Sequence, residues 1–185
     1  SDMWQERTGL LLNPEQMQQL CDARVAVIGL GGVGAYAAEM IARAGVGSLL
    51  ILDSDNVALS NRNRQLLALG STTGRPKTEV MAERLRDINP DISLTIINDY
   101  LTPENVEQLL AGHQIDFLVD AIDTLSPKIA LIRYCVTHHI PLVSSMGAGA
   151  KFDITKVKIA DISKSFNCPL AYVIRKKLRK EGITK

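Results

Sequence analysis

The stretch Val25-Ala-Val-Ile-Gly29-Leu-Gly31-Gly32-Val-Gly34 decides the fold of this chain. The apolar, β-branched run at 24–28 is typical of a buried strand in a parallel sheet. Gly29 permits a sharp turn after that strand, and Gly34 lets the next helix pack tightly on it. That helix, predicted from Val33 to about Arg43, points its free N–H groups and positive dipole end at an anion. A strand, a glycine turn and a helix in this order predict a nucleotide-binding site.

The next predicted strand supplies the second part of this fingerprint. Gly31 and Gly32 let the backbone come close to a ligand, and the strand predicted at 48–53 ends on Asp53. At that position a carboxylate can accept hydrogen bonds from ribose hydroxyls. The same pattern serves NAD and FAD, so these residues alone leave a dinucleotide-dependent enzyme open.

The rest of the chain repeats the strand–helix pattern. Further strands are predicted at 92–98, 115–120 and 141–145, and further helices at 14–20, 61–67, 76–88, 103–110, 126–138 and 169–180. A segment at 157–162 is expected to form a strand that leaves the parallel pattern. The pattern predicts a Rossmann-like, doubly wound α/β fold, with a mostly parallel sheet, helices on both faces and a non-parallel C-terminal extension. Ligands bind such sheets beyond the carboxyl ends of the strands.

Length and composition favour one domain with a real core. The 185 residues are expected to form an N-terminal arm and helix (1–22), a nucleotide-binding core (23–150) and the extension (151–185). A net charge of +1 gives no global field toward nucleic acid or membrane. Three scattered cysteines form neither a disulfide framework nor a Cys-x-x-Cys pair, which favours a reducing, cytoplasmic setting. No apolar run approaches the roughly 20 residues that span a bilayer, so no membrane partner is expected.

A second group of residues indicates a triphosphate. Asn61, Arg64 and Lys77 follow the ribose-binding strand, and Asp123 follows a later one. Three of these four side chains are ionised, and a hydride-transfer site has no obvious use for them. Each also has an ordinary interpretation: Arg64 and Lys77 as solvated helix charges, Asp123 as a turn acid, and nearby Asp55 as a turn cap.

Three segments carry a resemblance to a known family. They are Leu52-Asp-Ser-Asp-Asn-Val-Ala-Leu-Ser-Asn61-Arg-Asn-Arg64-Gln65, Gly74-Arg-Pro-Lys77 and Asp120-Ala-Ile-Asp123. In combination they closely resemble the ThiF/MoeB/HesA and ubiquitin-activating enzyme superfamily, over nearly the whole chain. Members of that superfamily adenylate carboxylates with MgATP, so the resemblance implies ATP and Mg²⁺ as cofactors. It also implies that Gly29, Gly31, Gly32 and Gly34 line the nucleotide, with Asp53 on the ribose.

The resemblance also implies how the phosphates are held. Asn61, Arg64 and Lys77 would contact them, Gln65 would support this motif, and Asp123 would place Mg²⁺ and the reacting phosphate. A carboxylate that attacks the α-phosphorus of ATP brings anion to anion, and cations must offset that repulsion. Arginine offers a rigid fork of donors to phosphate oxygens, whereas lysine is a mobile point charge.

Arg7 is a further candidate catalytic residue. It lies where this superfamily carries an arginine that reaches the ATP of a neighbouring protomer, but the chain has Arg7-Thr8 where the family usually has Arg-Gln. The alternative is a surface arginine on an N-terminal arm. A residue that acts in trans requires a dimer, so a homodimer is expected.

One branch of the superfamily fits best. The segments at 81–90, 120–128 and 168–180 resemble the tRNA threonylcarbamoyladenosine dehydratases, which activate the threonine carboxylate of the modified base with ATP and close a ring with loss of water. The run Arg175-Lys-Lys-Leu-Arg-Lys180 is expected to contact the tRNA backbone, a solvated helix face being the alternative. Members of this branch continue past this point, so the extension is expected to be truncated.

Two absences separate this branch from its neighbours. MoeB-like and ThiF-like members carry two Cys-x-x-Cys pairs for structural zinc, and this sequence has neither those pairs nor a clear thiol nucleophile. Cys168 is the only cysteine of the C-terminal third, so a Cys₄ zinc site cannot form within this sequence, and Cys168 is expected to be a small structural residue. The chief alternative function is adenylation of a ubiquitin-like sulfur carrier, with a sulfur-transfer protein as partner. An NAD-dependent oxidoreductase and a nucleotide-sensing module without turnover are the weaker alternatives.

Overall fold

The computed structural model describes residues 3–185 and contains one five-stranded sheet. Its strands are β1 (Arg24–Ile28), β2 (Ser48–Leu52), β3 (Ser93–Ile97), β4 (Phe117–Asp120) and β5 (Leu142–Ser144). They lie in the order β3-β2-β1-β4-β5, and every pair in the sheet is parallel. The order reverses between β1 and β4, which is where open α/β sheets form their ligand crevice.

Residues 3–185 contain six α-helices, of which α1 precedes the sheet and the other five follow or connect its strands. They are α1 (Pro14–Asp22), α2 (Gly34–Ala44), α3 (Lys77–Ile88), α4 (Val106–Leu110), α5 (Leu125–Thr137) and α6 (Pro169–Lys180). Short 3-10 turns lie at Met3–Gln5, Thr8–Leu10, Leu59–Asn61, Ile154–Lys156 and Ile162–Lys164. None of the helices described is both long enough and apolar enough to cross a membrane.

The helix ends follow from local chemistry. Asn13 caps α1 by accepting the Gln16 N–H at 2.9 Å, and the Gln16 side chain accepts the Asn13 N–H in return, with Pro14 at the first helical position. Gly45 ends α2 in the left-handed conformation, with φ of 98°. These signals account for helix boundaries that the sequence placed within one or two residues.

Each face of the sheet carries its own apolar core, because successive strand residues point to opposite sides. Leu49 of β2 packs on one side with Met81 and Leu85 of α3. Leu50, the next residue, packs on the other side with Leu131 of α5. The doubly wound α/β fold is thereby confirmed, with a sheet that is entirely parallel.

The C-terminal extension is attached through α6. Ile174 and Leu178 of α6 are fully buried against Ile129 and Ile132 of α5. At the end of α6, Glu181 accepts two hydrogen bonds from Arg133 of α5, at 2.7 and 2.6 Å. The extension therefore docks on a helix and adds no strand to the sheet.

Two predicted elements are wrong. The helix predicted at 61–67 is a 3-10 turn at Leu59–Asn61 followed by further turns, and the Asn61 side chain closes the first of them by accepting the Ala58 N–H at 3.0 Å. The strand predicted at 157–162 does not form, since no strand within residues 3–185 pairs with it. Positions 1 and 2 of the predicted N-terminal arm lie outside the described residues.

Candidate functional site

Two glycines of the loop between β1 and α2 are required by close packing. Gly29 has φ of +92°, and a Cβ there would lie 2.8 Å from the Ala121 carbonyl oxygen. A Cβ on Gly34 would lie 1.6 Å from the carbonyl oxygen of Gly29. Any larger residue at either position would force apart β1, α2 and the chain that leaves β4. The roles predicted for Gly29 and Gly34 in the turn and in helix packing agree with this geometry.

The other two glycines are packed less tightly. The nearest atoms to a Cβ on Gly31 or Gly32 belong to Gln65 and Arg64, at an ordinary 3.7 Å. The backbone N–H groups of Gly31 and Gly32 donate no hydrogen bond to any described residue. They lie beside the N-terminus of α2, where the helix dipole favours an anion. This loop can therefore cradle a phosphate group.

Asp53 connects the end of β2 to this loop. Its Oδ2 accepts the Leu30 N–H at 2.6 Å, and its Oδ1 accepts the Asp55 N–H at 2.7 Å. Each carboxylate oxygen keeps a further lone pair, so the group can still accept from a hydroxyl. The position predicted for the ribose-binding acid is therefore next to the glycine loop.

Asn61 builds the turn that carries the next two candidates. Its side chain closes the turn at Ala58, while its carbonyl oxygen accepts the N–H groups of Arg64 at 3.1 Å and Gln65 at 2.9 Å. This turn places Arg64 and Gln65 against the glycine loop. Arg64 is exposed, and its Nη1 donates to the Asn63 side chain at 2.9 Å. The guanidinium remains accessible to a ligand above the loop.

Lys77 is the most unusual cation of the site. It opens α3 and is only 4% exposed, yet its Nζ lies 3.3 Å from Oδ2 of the exposed Asp55. Its backbone N–H also donates to the Asp55 carbonyl oxygen at 2.9 Å. The ammonium carries three donors, and Asp55 is its one acceptor among the described residues. A buried ammonium with unused donors is suited to an incoming phosphate oxygen.

Asp123 lies beyond the carboxyl end of β4, on the far side of the glycine loop from β2. It is exposed, and its carboxylate makes no hydrogen bond or ion pair with residues 3–185. The described part of the chain holds no group of three or more His, Cys, Asp or Glu side chains that could bind a metal. Mg²⁺ prefers one or two carboxylates together with phosphate oxygens and waters, so a lone carboxylate beside a triphosphate fits it.

A buried ion pair behind Asp123 was not predicted. Asp120 and Lys128 are both fully buried, with Lys128 Nζ 2.9 Å from Asp120 Oδ2. Ser144 of β5 donates to the same Oδ2 at 2.5 Å. Burial raises the pKa of the Asp120 carboxyl, and Lys128, Ser144 and the Ile122 N–H oppose that rise. The available signal was a lysine within the apolar run Pro127-Lys-Ile-Ala-Leu-Ile132.

Arg7 does not join these residues. It is exposed, and the neighbouring Gln5 covers the C-terminal end of α2, where a Cβ on Gly45 would collide with the Gln5 amide. The glycine loop lies at the other end of this 11-residue helix, about 16 Å away by helical rise. Arg7 is thus remote from the cluster formed by the other candidates of its own chain.

Cys135 and Cys168 lie in different surroundings. Burial raises the pKa of the Cys135 thiol to about 12. Burial also acts to raise the pKa of Cys168, but N–H donors from Ala171 and Gly147 outweigh it and the pKa is lowered. The Cys168 sulfur caps α6 by accepting the Ala171 N–H at 3.4 Å, and it also accepts the Gly147 N–H at 3.3 Å. This arrangement agrees with the structural role expected for Cys168.

A cleft of the fold lies away from these residues. It has a volume of about 470 Å³, opens at the amino ends of the strands and is lined by residues such as Arg24, Ser48 and His113. Parallel α/β sheets bind ligands at the opposite edge, where the glycine loop, Lys77 and Asp123 lie. The candidate site is therefore assigned to the side chains at that opposite edge and not to this cleft.

Comparisons with known proteins agree with this architecture. The sequence profile of the ThiF family matches residues 6–184. The chain is 47% identical over 179 residues to the tRNA threonylcarbamoyladenosine dehydratase of Bacillus subtilis, an alignment that covers 97% of this chain and 70% of that protein. It is 36% identical over 154 residues to the molybdopterin-synthase adenylyltransferase of Salmonella typhimurium, covering 83% of this chain and 61% of that protein.

A solved structure shares the fold in detail. It is the crystal structure of the Escherichia coli tRNA N6-threonylcarbamoyladenosine dehydratase in complex with ATP, which is 42% identical to this chain. The two superpose with a TM-score of 0.92, over 98% of this chain and 75% of that one. The profile match, the sequence identities and this superposition agree with one another, and the chain belongs to the ThiF family.

Proposed function

We propose that this protein uses ATP to activate the threonine carboxylate of threonylcarbamoyladenosine in tRNA, so that the modified base cyclises with loss of water. The observation that carries the proposal is the convergence of the glycine loop, Asp53, Arg64, Lys77 and Asp123 at one sheet edge. The similarity to an enzyme of that name, crystallised with ATP, supports the choice of cosubstrate and substrate.

The proposed chemistry balances without an enzyme nucleophile. A carboxylate oxygen attacks the α-phosphorus of ATP, and pyrophosphate leaves. A nucleophile within the same modified base then attacks the acyl carbon and expels AMP, and its proton passes to solvent. AMP carries away one carboxylate oxygen, so the base has lost the elements of water. A thiol is not needed, which suits the buried Cys135 and the capping role of Cys168.

Each residue at the phosphates has a role that follows from its chemistry. The open N–H groups of Gly31 and Gly32 and the N-terminus of α2 bind phosphate oxygens. Arg64 supplies a planar fork and Lys77 a point charge, and both stabilise the charge that develops when the carboxylate meets the α-phosphate. Asn61 and Gln65 hold the turn that presents Arg64.

Asp123 is the residue that would hold Mg²⁺. The ion, once bound with ATP, would supply charge neutralisation on the phosphates. The exposed and unpaired Asp123 carboxylate suits that task because it forms no competing ion pair with the described residues. Asp53 would hold the ribose and so fix the nucleotide along the sheet edge.

The charge distribution supports tRNA as the partner. The extension at 151–185 carries ten basic and three acidic residues, a net charge of +7, whereas the whole chain is +1. Arg175 is already committed, since its Nη1 donates to the Ser165 carbonyl oxygen at 2.9 Å. The four other cations of α6 are exposed: Lys176, Lys177, Arg179 and Lys180. These four would contact the RNA backbone.

A homodimer is part of the proposal. Arg7 lies far from the site of its own chain, as a residue that completes the ATP site of a neighbouring protomer must. Mixing Arg7→Ala protomers with Asp123→Ala protomers is expected to restore part of the activity, because one site of each mixed dimer then has both residues. Mixed dimers without any recovery would contradict a role for Arg7 in trans.

We also propose the whole chain as one adenylating domain that acts in the cytoplasm. Adenylation of a ubiquitin-like sulfur carrier, with a sulfur-transfer protein as partner, is the second candidate function. The 36% identity to the molybdopterin-synthase adenylyltransferase favours it. Cys168 has no second cysteine at Cys-x-x-Cys spacing, which speaks against it, because the zinc-binding members of that branch carry two such pairs.

The decisive assay incubates the protein with MgATP and tRNA that carries threonylcarbamoyladenosine. Mass analysis of the digested nucleosides should show the modified base lighter by one water, and omission of ATP should abolish the change. A second reaction replaces the tRNA with a sulfur carrier protein that ends in glycine. Pyrophosphate release that requires the carrier and ignores the tRNA would overturn the proposal in favour of the second function.

A further inference from the structure

We propose that the buried Asp120–Lys128 pair is a positioning device that holds the Asp123 carboxylate in place by clamping the peptide groups of Ile122. The inference rests on the proposed function, in which Asp123 faces the ATP phosphates. Neither Asp120 nor Lys128 would touch the substrate. They would act through the backbone that carries Asp123.

Both polar groups of the Ile122 backbone are bound by this pair. The Ile122 N–H donates to Asp120 Oδ1 at 3.1 Å. The Ile122 carbonyl oxygen accepts from Lys128 Nζ at 2.8 Å. The same Nζ lies 2.9 Å from Asp120 Oδ2, so the three groups form a closed ring of polar contacts. Asp123 is the next residue, and its amide belongs to the peptide unit that Lys128 anchors.

The clamp is anchored in the sheet on two sides. Asp120 is the last residue of β4, and its Oδ2 accepts from Ser144 of the neighbouring strand β5 at 2.5 Å. Lys128 lies one turn into α5 and is fully buried. Strand and helix therefore both fix the turn at 121–123, while the Asp123 side chain itself has no partner within the described residues.

The same turn forms a wall of the glycine loop. A Cβ on Gly29 would lie 2.8 Å from the Ala121 carbonyl oxygen and 3.3 Å from the Ile122 nitrogen. A shift of the Ile122 peptide would therefore change the distance between the phosphate cradle and Asp123. This contact couples the clamp to both halves of the proposed site.

Stability alone does not explain why a charged pair occupies this position. Replacing a buried ion pair by apolar residues of similar volume is often neutral or stabilising, because the charges no longer need to be desolvated. The surrounding core of Leu118, Ala130, Leu131 and Cys135 would accommodate apolar side chains. What an apolar pair lacks is a donor for the Ile122 carbonyl oxygen.

The test is the double variant Asp120→Asn with Lys128→Met. It removes both charges together, so no unpaired charge stays buried, and Asn keeps an acceptor for the Ile122 N–H. It removes the donor to the Ile122 carbonyl oxygen. We expect a melting temperature close to wild type, an ATP Kd close to wild type and a kcat lower by about 10- to 100-fold, as for a small misplacement of a reacting group. Arg24→Met, which breaks the exposed Arg24–Asp116 pair at the opposite sheet edge, is the matched control and should leave kcat unchanged.

A spectroscopic readout separates this inference from the proposed function. The amide ¹⁵N resonance of Asp123 responds to hydrogen bonding at the preceding carbonyl, so it should shift in the double variant while resonances of β2 stay in place. An unshifted resonance, or a folded double variant with wild-type kcat, would overturn the clamp. If the wild-type protein leaves the modified base unchanged, the proposed function is wrong. The Asp123 amide ¹⁵N resonance would still decide whether the clamp exists.

Discussion

Gly34 and Gly32 differ only in what surrounds them, which makes them a matched pair of residues. A Cβ on Gly34 would meet the Gly29 carbonyl oxygen at 1.6 Å, whereas one on Gly32 would meet Arg64 no closer than 3.7 Å. We predict that Gly34→Ala lowers the melting temperature strongly, because backbone must move, and weakens ATP binding with it. Gly32→Ala should melt near wild type. Thermal unfolding of both variants measures this difference. Equal decreases in melting temperature would contradict the packing role of Gly34.

Asp123 provides a second residue-scale prediction. Asp123→Asn should lower kcat by at least an order of magnitude, because removing charge aimed at the transition state acts on kcat. Its melting temperature should not change, since the side chain is exposed and without a described partner. Asp91→Asn, an exposed acid after α3, is the control. Steady-state kinetics in which only KM rises would argue that Asp123 binds ATP without acting on the reaction.

At this scale the sequence predicted residues whose role is local and missed those whose role depends on a distant partner. The turn at Gly29 and the packing at Gly34 follow from the change from strand to helix, and the residues on either side of these glycines are enough to predict that change. The Asp120–Lys128 pair joins two elements, and a lysine at helical spacing normally indicates a solvated face. The apolar run at 127–132 was the one sign that this lysine lies in the core, and nothing in the sequence placed Asp55 beside Lys77.

Helices α2 and α3 are joined by an ion pair that gives a pH-dependent prediction at the scale of elements. Glu39 of α2 accepts from Arg84 of α3 at 2.5 and 3.1 Å and from Arg43 at 2.9 Å. The hydrogen bond from Arg84, together with Arg43, lowers the pKa of the Glu39 carboxyl below its ordinary 4.5. A lowered folded-state pKa stabilises the fold above pH 4.5, and this contribution is lost as the pH falls through the folded-state value.

Glu39→Gln should therefore destabilise the protein by about 1 kcal/mol at pH 7, the scale of an ion pair whose arginines remain exposed to solvent. The difference from wild type should shrink as the pH falls below 4.5. Urea unfolding of both proteins at several pH values measures this directly. A difference that stayed constant from pH 7 to pH 3 would show that Glu39 acts by packing and not by charge.

Helix α6 gives the second prediction at this scale. Replacing Lys176, Lys177, Arg179 and Lys180 by Gln should weaken tRNA binding and reduce its salt dependence. The slope of log K against log salt should become shallower by up to about 0.9 for each phosphate that these cations neutralise. The control is Arg86→Gln, which removes an exposed cation of α3. Titrations at several salt concentrations with an unchanged slope would assign these cations to a solvated face.

Elements with strong local signals were predicted well, and those that depend on partners were not. The N-cap of α1 and the C-terminal glycine of α2 allowed the start of α1 and the end of α2 to be predicted from the sequence. The segment at 157–162 is rich in β-branched residues as strands are, but a strand also needs a neighbour to pair with. The segment at 61–67 forms turns instead of a helix, and the Asn61 side chain closes the first of them by accepting the Ala58 N–H.

For the whole molecule, the order of strands explains how residues far apart in sequence meet. Asp53 follows β2, the glycine loop follows β1 and Asp123 follows β4, and these three strands are neighbours in the sheet. The repeated strand–helix pattern predicted that these residues lie at one edge, because the carboxyl ends of parallel strands meet there, but it did not predict the strand order. The uneven charge of the chain, concentrated at 151–185, belongs to the same scale and complements a polyanionic substrate.

The central claim is that a carboxylate oxygen of the modified base attacks the α-phosphorus of ATP at this edge. The most direct measurement uses tRNA whose threonylcarbamoyladenosine carries ¹⁸O in the carboxylate, with the protein and MgATP, and follows the label by mass spectrometry of the nucleotides. The account predicts AMP that contains one ¹⁸O atom, together with unlabelled pyrophosphate and a base lighter by one labelled water. Formation of ADP with the label in inorganic phosphate, or cyclisation without labelled AMP, would contradict it.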